Sequence, residues 1–284
     1  MGQVFASAPF IVGSSEPAPT DAGDADEAMC PVVSHEWVNE AYKHLVVAAP
    51  PKTLAAKPGQ FFNLLCRDAG ALWPRRPHSI YHVDAGRSRI GFLHKCADRD
   101  ANGLAALKKD DLVTLVGPLG VGFRLDPSWR HIVMLGRGAG LATLAPLARL
   151  AADSGVGVTA ILSARTRDLV MAEDQFAVAG TVIPVVDIDR SGDVENVEPI
   201  LEDLIAAKRA DAFFTSGSNR LMQLMKRLGR QHGIPGQVAM GQVMTCERGP
   251  CYVCVRNFEV NGRRELRRIC IDGPVFDLQE AVGW

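Results

Sequence analysis

Seven cysteines occur in the 284 residues, and four of them fall near the C-terminal end. Cys246, Cys251 and Cys254 follow a C-x4-C-x2-C spacing, and fifteen residues separate Cys254 from Cys270. This is the plant-type spacing of thiolates around a [2Fe-2S] cluster. Each iron takes two thiolates, so a loop that delivers three and a more distant strand that delivers the fourth meets the need. Gly249 and Pro250 let such a loop wrap an inorganic core and leave backbone N–H groups free to face sulfur. A structural zinc site is the rival reading. Zinc ribbons present two C-x2-C knuckles, however, and only Cys251 and Cys254 form one. The other three, Cys30, Cys66 and Cys96, are widely separated and give no disulfide framework.

Two further stretches carry possible chemistry. Gly136-Arg137-Gly138-Ala139-Gly140 follows an apolar run and opens a helical one. Glycines there let a phosphate approach the backbone, and a helix N-terminus stabilises its charge. The spacing is not a full G-x-G-x-x-G, because Leu141 takes the last place, so nucleotide binding and a plain strand-to-helix turn both stand. Arg75-Arg76-Pro77-His78-Ser79 enters a strand-like run, where an arginine can pair with a phosphate and Ser79 can hydrogen-bond a ring edge. A solvated basic turn is the alternative.

The elements that would position these groups change character along the chain. Residues 1–28 are rich in Ala, Ser, Pro, Gly and Asp, with no Lys or Arg before Lys43, and read as a disordered tail whose Phe5 and Phe10 to Val12 could dock a partner. From Met29 to Asp126, short β-type runs (Leu45–Ala48, Phe61–Cys66, Ser79–Val83, Ile90–Cys96, Leu112–Val116) alternate with turn signals, which predicts a small antiparallel barrel interrupted by one helix at Ala101–Leu107. Residues 127–233 alternate apolar strands (His131–Leu135, Val158–Ser163, Val182–Val186, Ala212–Thr215) with helices (Leu141–Ala152, Asp168–Phe176, Val197–Lys208, Asn219–His232), the pattern of a parallel sheet in an α/β domain. Residues 234–284 hold the cysteines and a predicted hairpin, Val253–Val260 and Glu265–Ile271, joined at Asn261-Gly262.

In combination these motifs resemble the ferredoxin reductase superfamily, and within it the electron-transfer subunit of the heteromeric dihydroorotate dehydrogenases, from about Val32 to Phe276. The fold class implied is multidomain β plus α/β: an antiparallel FAD-binding β-barrel, a parallel-sheet nucleotide-binding domain and a small C-terminal 2Fe-2S segment. The resemblance implies that Arg76, Pro77, His78 and Ser79 hold FAD. It further implies that His94, Lys95 and Cys96 lie along the flavin, and that Gly103 and Leu104 stand where a Gly-Thr meets the pyrophosphate. Gly136, Gly138 and Gly140 would take the nicotinamide cofactor, Arg165 and Arg167 its adenosine end, and Gly217 the nicotinamide turn, where Ser216 replaces a usual cysteine. The closing Asp272-Gly273-Pro274-Val275-Phe276 is also similar to that subunit.

The expected cofactors are FAD, a 2Fe-2S cluster and NAD(H), with NADP(H) open because of the two arginines. The expected function is electron transfer between NAD(P)H and a partner redox protein, either a dehydrogenase catalytic subunit or, alternatively, an oxygenase or demethylase component, in a hetero-oligomer. No catalytic carboxylate pair, triad or catalytic zinc motif stands out. A net charge of −1 gives no reason to expect nucleic acid. No apolar run approaches the roughly 20 residues of a membrane span, and without a basic n-region ahead of an apolar core the expected location is cytoplasmic.

Overall fold

The computed structural model describes residues 26–68, 71–72, 76–96, 103–241, 244, 246 and 249–283. The tail up to residue 25, with its apolar patch, and Arg75 lie outside the described residues.

The first part of the chain comprises strands β1 (Asp26–Trp37) and β2 (Tyr42–Ala48), a helical turn α1 (Pro51–Leu54), and strands β3 (Phe61–Asp68), β4 (Ala71–Leu72), β5 (Arg76–Asp84), β6 (Arg89–Lys95) and β7 (Leu112–Leu119). Six strands run β3-β5-β6-β2-β1-β7, and β7 pairs back onto β3, so an antiparallel barrel closes and only β4 hangs outside. Closure removes sheet edges that would otherwise pair with other chains. Phe62, Leu64 and Cys66 point inward with Val47, Ile80 and Phe92. Their neighbour Phe61 points the other way, into the core shared with the rest of the molecule. That alternation has the period of two that a strand imposes.

The 12-residue β1 has no counterpart among the runs read from sequence. Pro31, Ser34, His35 and Glu36 interrupt its apolar pattern, and it divides its pairing. Asp26 to Pro31 lie along β7, and Val32 to Trp37 along β2, with a register shift between Val32 and Ser34. The helix expected at Ala101–Leu107 is a single 3-10 turn, Gly103–Ala106, with residues 101 and 102 outside the described residues.

The second part alternates β8 (His131–Arg137), α2 (Ala139–Asp153), β9 (Gly157–Ala164), α3 (Glu173–Ala177), β10 (Gly180–Val186), α4 (Val194–Ala206), β11 (Ala212–Ser216), α5 (Asn219–His232) and β12 (Gly236–Ala239). The five strands are parallel in the order β10-β9-β8-β11-β12. The helix expected at Asp168–Phe176 is broken. A 3-10 turn at Arg167–Leu169 is followed by extended Val170 and by Ala172 at φ 65, and only then does α3 begin. Burial of Met171 and Ala172 in the α2 core outweighs helical continuity there.

The last part forms the hairpin β13 (Val255–Val260) and β14 (Arg263–Arg268), the helical turn α6 (Ile269–Asp272) and β15 (Val275–Asp277). The predicted strand Glu265–Ile271 therefore stops at Arg268, and Cys270 sits on α6. The Asp272 carboxylate accepts the Arg268 N–H at 2.7 Å and turns the chain. β15 pairs antiparallel with β12, adding a sixth strand to the parallel sheet. Phe258 and Phe276, with ring centroids 4.3 Å apart, join the hairpin to that strand.

A cavity where barrel, sheet and cysteine loop meet

The strand order of the α/β part reverses between β8 and β11, and ligands bind such sheets at this switch point, beyond the strand C-termini. The loops leaving the two strands touch there. Gly217 has φ +90, and a Cβ on it would lie 2.1 Å from the Arg137 carbonyl oxygen; a Cβ on Gly140 would lie 2.4 Å from the Ser216 carbonyl oxygen. Both positions therefore require glycine. Helix α2 follows Gly138, which gives it no side-chain cap; the Ala139 backbone is bonded to the Tyr42 hydroxyl and the Leu141 N–H to the Gly138 carbonyl at 3.0 Å, while the positive end of the helix dipole still favours an anion here.

A cavity of about 350 Å³ opens at this point. Pro77, His78 and Ser79 of β5 and Leu93, His94 and Lys95 of β6 form its barrel wall. Gly140, Thr143, Ser216 and Gly217 form the opposite wall, and Met244 and Pro274 of the cysteine segment close a third side. The Thr143 hydroxyl donates to Ser79 Oγ at 2.9 Å, tying barrel to sheet across the opening.

His94 is buried and both of its ring nitrogens are engaged. His35 Nδ1 lies 2.8 Å from the Leu107 carbonyl, which only accepts, so this nitrogen carries the proton. His35 Nε2 must then accept from His94 Nε2–H, also at 2.8 Å, leaving His94 Nδ1 to face the Cys96 thiol at 3.8 Å. Burial, with His78, His35 and Lys43 nearby, pushes His94 down to about 3. Its ring is thus a fixed, neutral surface beside the cavity, nearly coplanar with the His35 ring that it meets edge to edge and approached at right angles by His78.

The cysteine loop lies beyond Met244. Cys254 Sγ donates to Cys270 Sγ at 3.3 Å, both being buried, while the exposed Cys251 directs its N–H to Cys246 Sγ at 3.4 Å. Among the described residues no three His, Cys, Asp or Glu side chains stand close enough to hold a metal ion as placed; the thiols form two pairs. Two thiolates at about 2.3 Å from one tetrahedral ion sit roughly 3.8 Å apart, so Cys254 and Cys270 fit as ligands of one ion. Burial, followed by the neighbouring Cys254 and Cys246, pushes the Cys270 thiol up to about 12. A bound cation reverses that balance, because a coordinating thiol is deprotonated outright. An all-thiol set with a backbone N–H facing sulfur fits an iron–sulfur group.

The structure gathers some of the expected residues and separates others. Pro77, His78, Ser79, His94, Lys95, Gly140 and Gly217 line the cavity, while Gly136 lies near the end of β8 and Gly138 at the N-cap of α2, beside it. Arg76, at the start of β5, and Cys96, behind His94, are adjacent but not part of the wall. Leu104 packs against the barrel core, and Gly103 opens the 3-10 turn, so neither reaches the cavity. Arg167 forms a two-pronged ion pair with Glu173, and Arg165 is exposed beside it. Sequence reasoning did not single out Thr143, His35, Met244 or Asn63. Asn63 is fully buried two residues beyond Phe61, and both its amide nitrogen and its oxygen lack partners. An orphaned amide beside a cavity wall suits a polar ligand edge or an ordered water.

Comparison with known proteins bears on the same parts. A family model described as the iron-sulfur cluster binding domain of dihydroorotate dehydrogenase B matches residues 241–282. The dihydroorotate dehydrogenase B (NAD(+)) electron transfer subunit of Bacillus mycoides is 28% identical over 229 residues, 79% of this chain and 86% of that one. A homolog of that subunit in Thermotoga maritima is 26% identical, over 84% of this chain and 82% of its own. Among solved structures, the NADH-dependent reduced ferredoxin-NADP oxidoreductase superposes with a TM-score of 0.74 at 23% identity, covering 89% of both chains. A ferredoxin NADP+ reductase from Neisseria gonorrhoeae gives 0.60 at 16% identity, covering 77% of this chain and 99% of its own. The chain thus has the ferredoxin reductase fold, resembles the electron-transfer subunits of dihydroorotate dehydrogenase B along most of its length, and carries their type of cluster-binding segment at its C-terminal end.

Proposed function

We propose that this chain is the electron-transfer subunit of a two-component oxidoreductase, linking NAD(P)H to a partner redox protein through FAD and a [2Fe-2S] cluster. The observation that carries the reading is the cavity itself, because residues of the barrel, the switch-point loops and the cysteine segment all line it. A flavin exchanges hydride with nicotinamide and single electrons with a cluster, so it supplies the conversion between the two carriers. His78, Ser79 and Lys95 would hold its ring region, and the fixed neutral His94 would give it a flat apolar surface. Gly138, Gly140 and the start of α2 would take the nicotinamide cofactor's phosphates. Gly217 would let that cofactor's ring approach the opposite wall. Cys246, Cys251, Cys254 and Cys270 would hold the cluster, with Met244 and Pro274 excluding water from the gap between.

The partner is a catalytic redox subunit or an oxygenase component, in a hetero-oligomer. The proposed setting is the cytoplasm, supported by a cysteine spacing that gives no disulfide framework; among the described residues no helix is long and apolar enough to cross a membrane. Cofactor analysis of the anaerobically purified chain is the test. One FAD, two irons and two acid-labile sulfides per chain are expected. Stoichiometric zinc without sulfide would overturn the reading.

A further inference from the structure

The arginines around the switch-point loops are mostly taken up by carboxylates, and one carboxylate serves two of them. Asp187 follows β10, and its backbone N–H is bonded to the Ala164 carbonyl at 3.1 Å, which places it against the loop leaving β9. Its Oδ1 accepts from Arg137 Nη1 at 3.0 Å and from Arg220 Nη2 at 2.8 Å, and its Oδ2 accepts from Arg137 Nη2. Arg137 also donates to Ser163 Oγ at 2.8 Å. Burial alone would raise the Asp187 carboxyl, but Arg137 and Arg220 outweigh it and hold it below the usual carboxylate range. Arg220 reaches Asp193 as well, and Arg167 is held by Glu173. Of these four arginines, Arg165 alone makes no ion pair among the described residues.

Resting on the nucleotide-binding role proposed above, we propose that Asp187 makes this chain select a nicotinamide nucleotide with a free ribose 2′-hydroxyl over its 2′-phosphorylated counterpart. A 2′-phosphate carries up to two negative charges and is accepted where unpaired arginines await it. Here Asp187 withdraws Arg137 and Arg220 from that task and, with a third of its side chain exposed, sets a negative charge beside the loop that would meet the adenosine ribose. Of the two arginines that suggested phosphate reading in the sequence, Arg167 is held by Glu173, which leaves Arg165. A purely structural ion pair stitching β10 to β8 and α5 would act differently, changing affinity for both nucleotides alike.

The test is calorimetric binding of NAD+ and NADP+ to the intact chain, its Asp187→Asn variant and its Asp187→Glu variant. The intact chain should bind NAD+ more tightly. Asp187→Asn should lower the NAD+/NADP+ affinity ratio roughly tenfold, mainly by tightening NADP+, a change of the size one well-placed charge produces. Asp187→Glu should retain the preference. A second measurement needs no variant: raising salt screens repulsion, so the ratio in the intact chain should fall. An unchanged ratio in Asp187→Asn, or equal wild-type affinity for both nucleotides, overturns the assignment to Asp187 and leaves the nucleotide site standing. Absence of binding by either nucleotide overturns the nucleotide site and this inference together. If Asp187→Asn does not fold, a ratio that rises or stays level with salt overturns the assignment.

Discussion

His94 and His44 have been moved into the barrel wall at the expense of their charge. Burial is the main cause in both, and it pushes His94 down to about 3 and His44, next to His82, down to about 4. In the unfolded chain each would take up a proton near pH 6.5. The unfolded state therefore binds more protons below that pH, and stability that is complete at pH 7 is lost progressively as pH falls toward 4 and 3. The melting temperature should drop steadily between pH 6.5 and 4.5, and His44→Phe should flatten the slope; an unchanged melting temperature over that range would count against neutral burial. At Gly217 the constraint is backbone geometry. Gly217→Ala should cost about 1–3 kcal/mol in urea unfolding and weaken nucleotide binding, because the new methyl meets the Arg137 carbonyl oxygen at 2.1 Å. Wild-type stability and binding in that variant would remove the argument for close loop contact. The two kinds of residue were not equally legible. Glycines and cysteines announce themselves by spacing, whereas His35 and Asn63 lie in strands whose sequence gives no sign of what they face.

The decisive element is β15, the strand that returns the cysteine segment to the parallel sheet. Its pairing with β12 and the Phe258–Phe276 contact hold the cluster loop against the cavity. Phe258 is fully buried, so Phe258→Ala should destabilise the chain by about 3–5 kcal/mol. Iron and sulfide should be lost before the flavin, because Phe258 packs directly against the cysteine segment while the barrel keeps a core of its own; simultaneous loss would mean that the segments are not independent at this level. The barrel strands β2, β3 and β5 to β7, and the βα alternation, were readable because apolar periodicity and turn signals coincide. Elements β12 and β15 were not, since runs of three or four residues carry too little pattern. The short α6 was hidden because Arg267-Arg268-Ile269-Cys270 reads equally well as the end of a strand, and only the Asp272 carboxylate turns it. The same limit applies at α3, where burial of Met171 and Ala172 interrupts a helix that local propensity favours.

For the whole molecule, the order of modules in the chain becomes an order in space. The barrel and the sheet meet at Ser79 and Thr143, the cysteine segment closes the third side, and one cavity touches all three. The sequence carried that order, but not the meeting point, which depends on β7–β3 closure and on β15 joining the sheet. Nor did it carry the pairing of Arg167 with Glu173. The central claim is that electrons pass between the switch point and the cysteine loop by way of the cavity. Anaerobic stopped-flow mixing of the cofactor-loaded chain with NADH tests it most directly, followed separately at flavin and cluster wavelengths. Flavin bleaching should come first and cluster reduction second, and Cys254→Ser should keep the first phase while abolishing delivery to the partner. Delivery that survives in Cys254→Ser, or a cluster reduced before the flavin, would contradict the account.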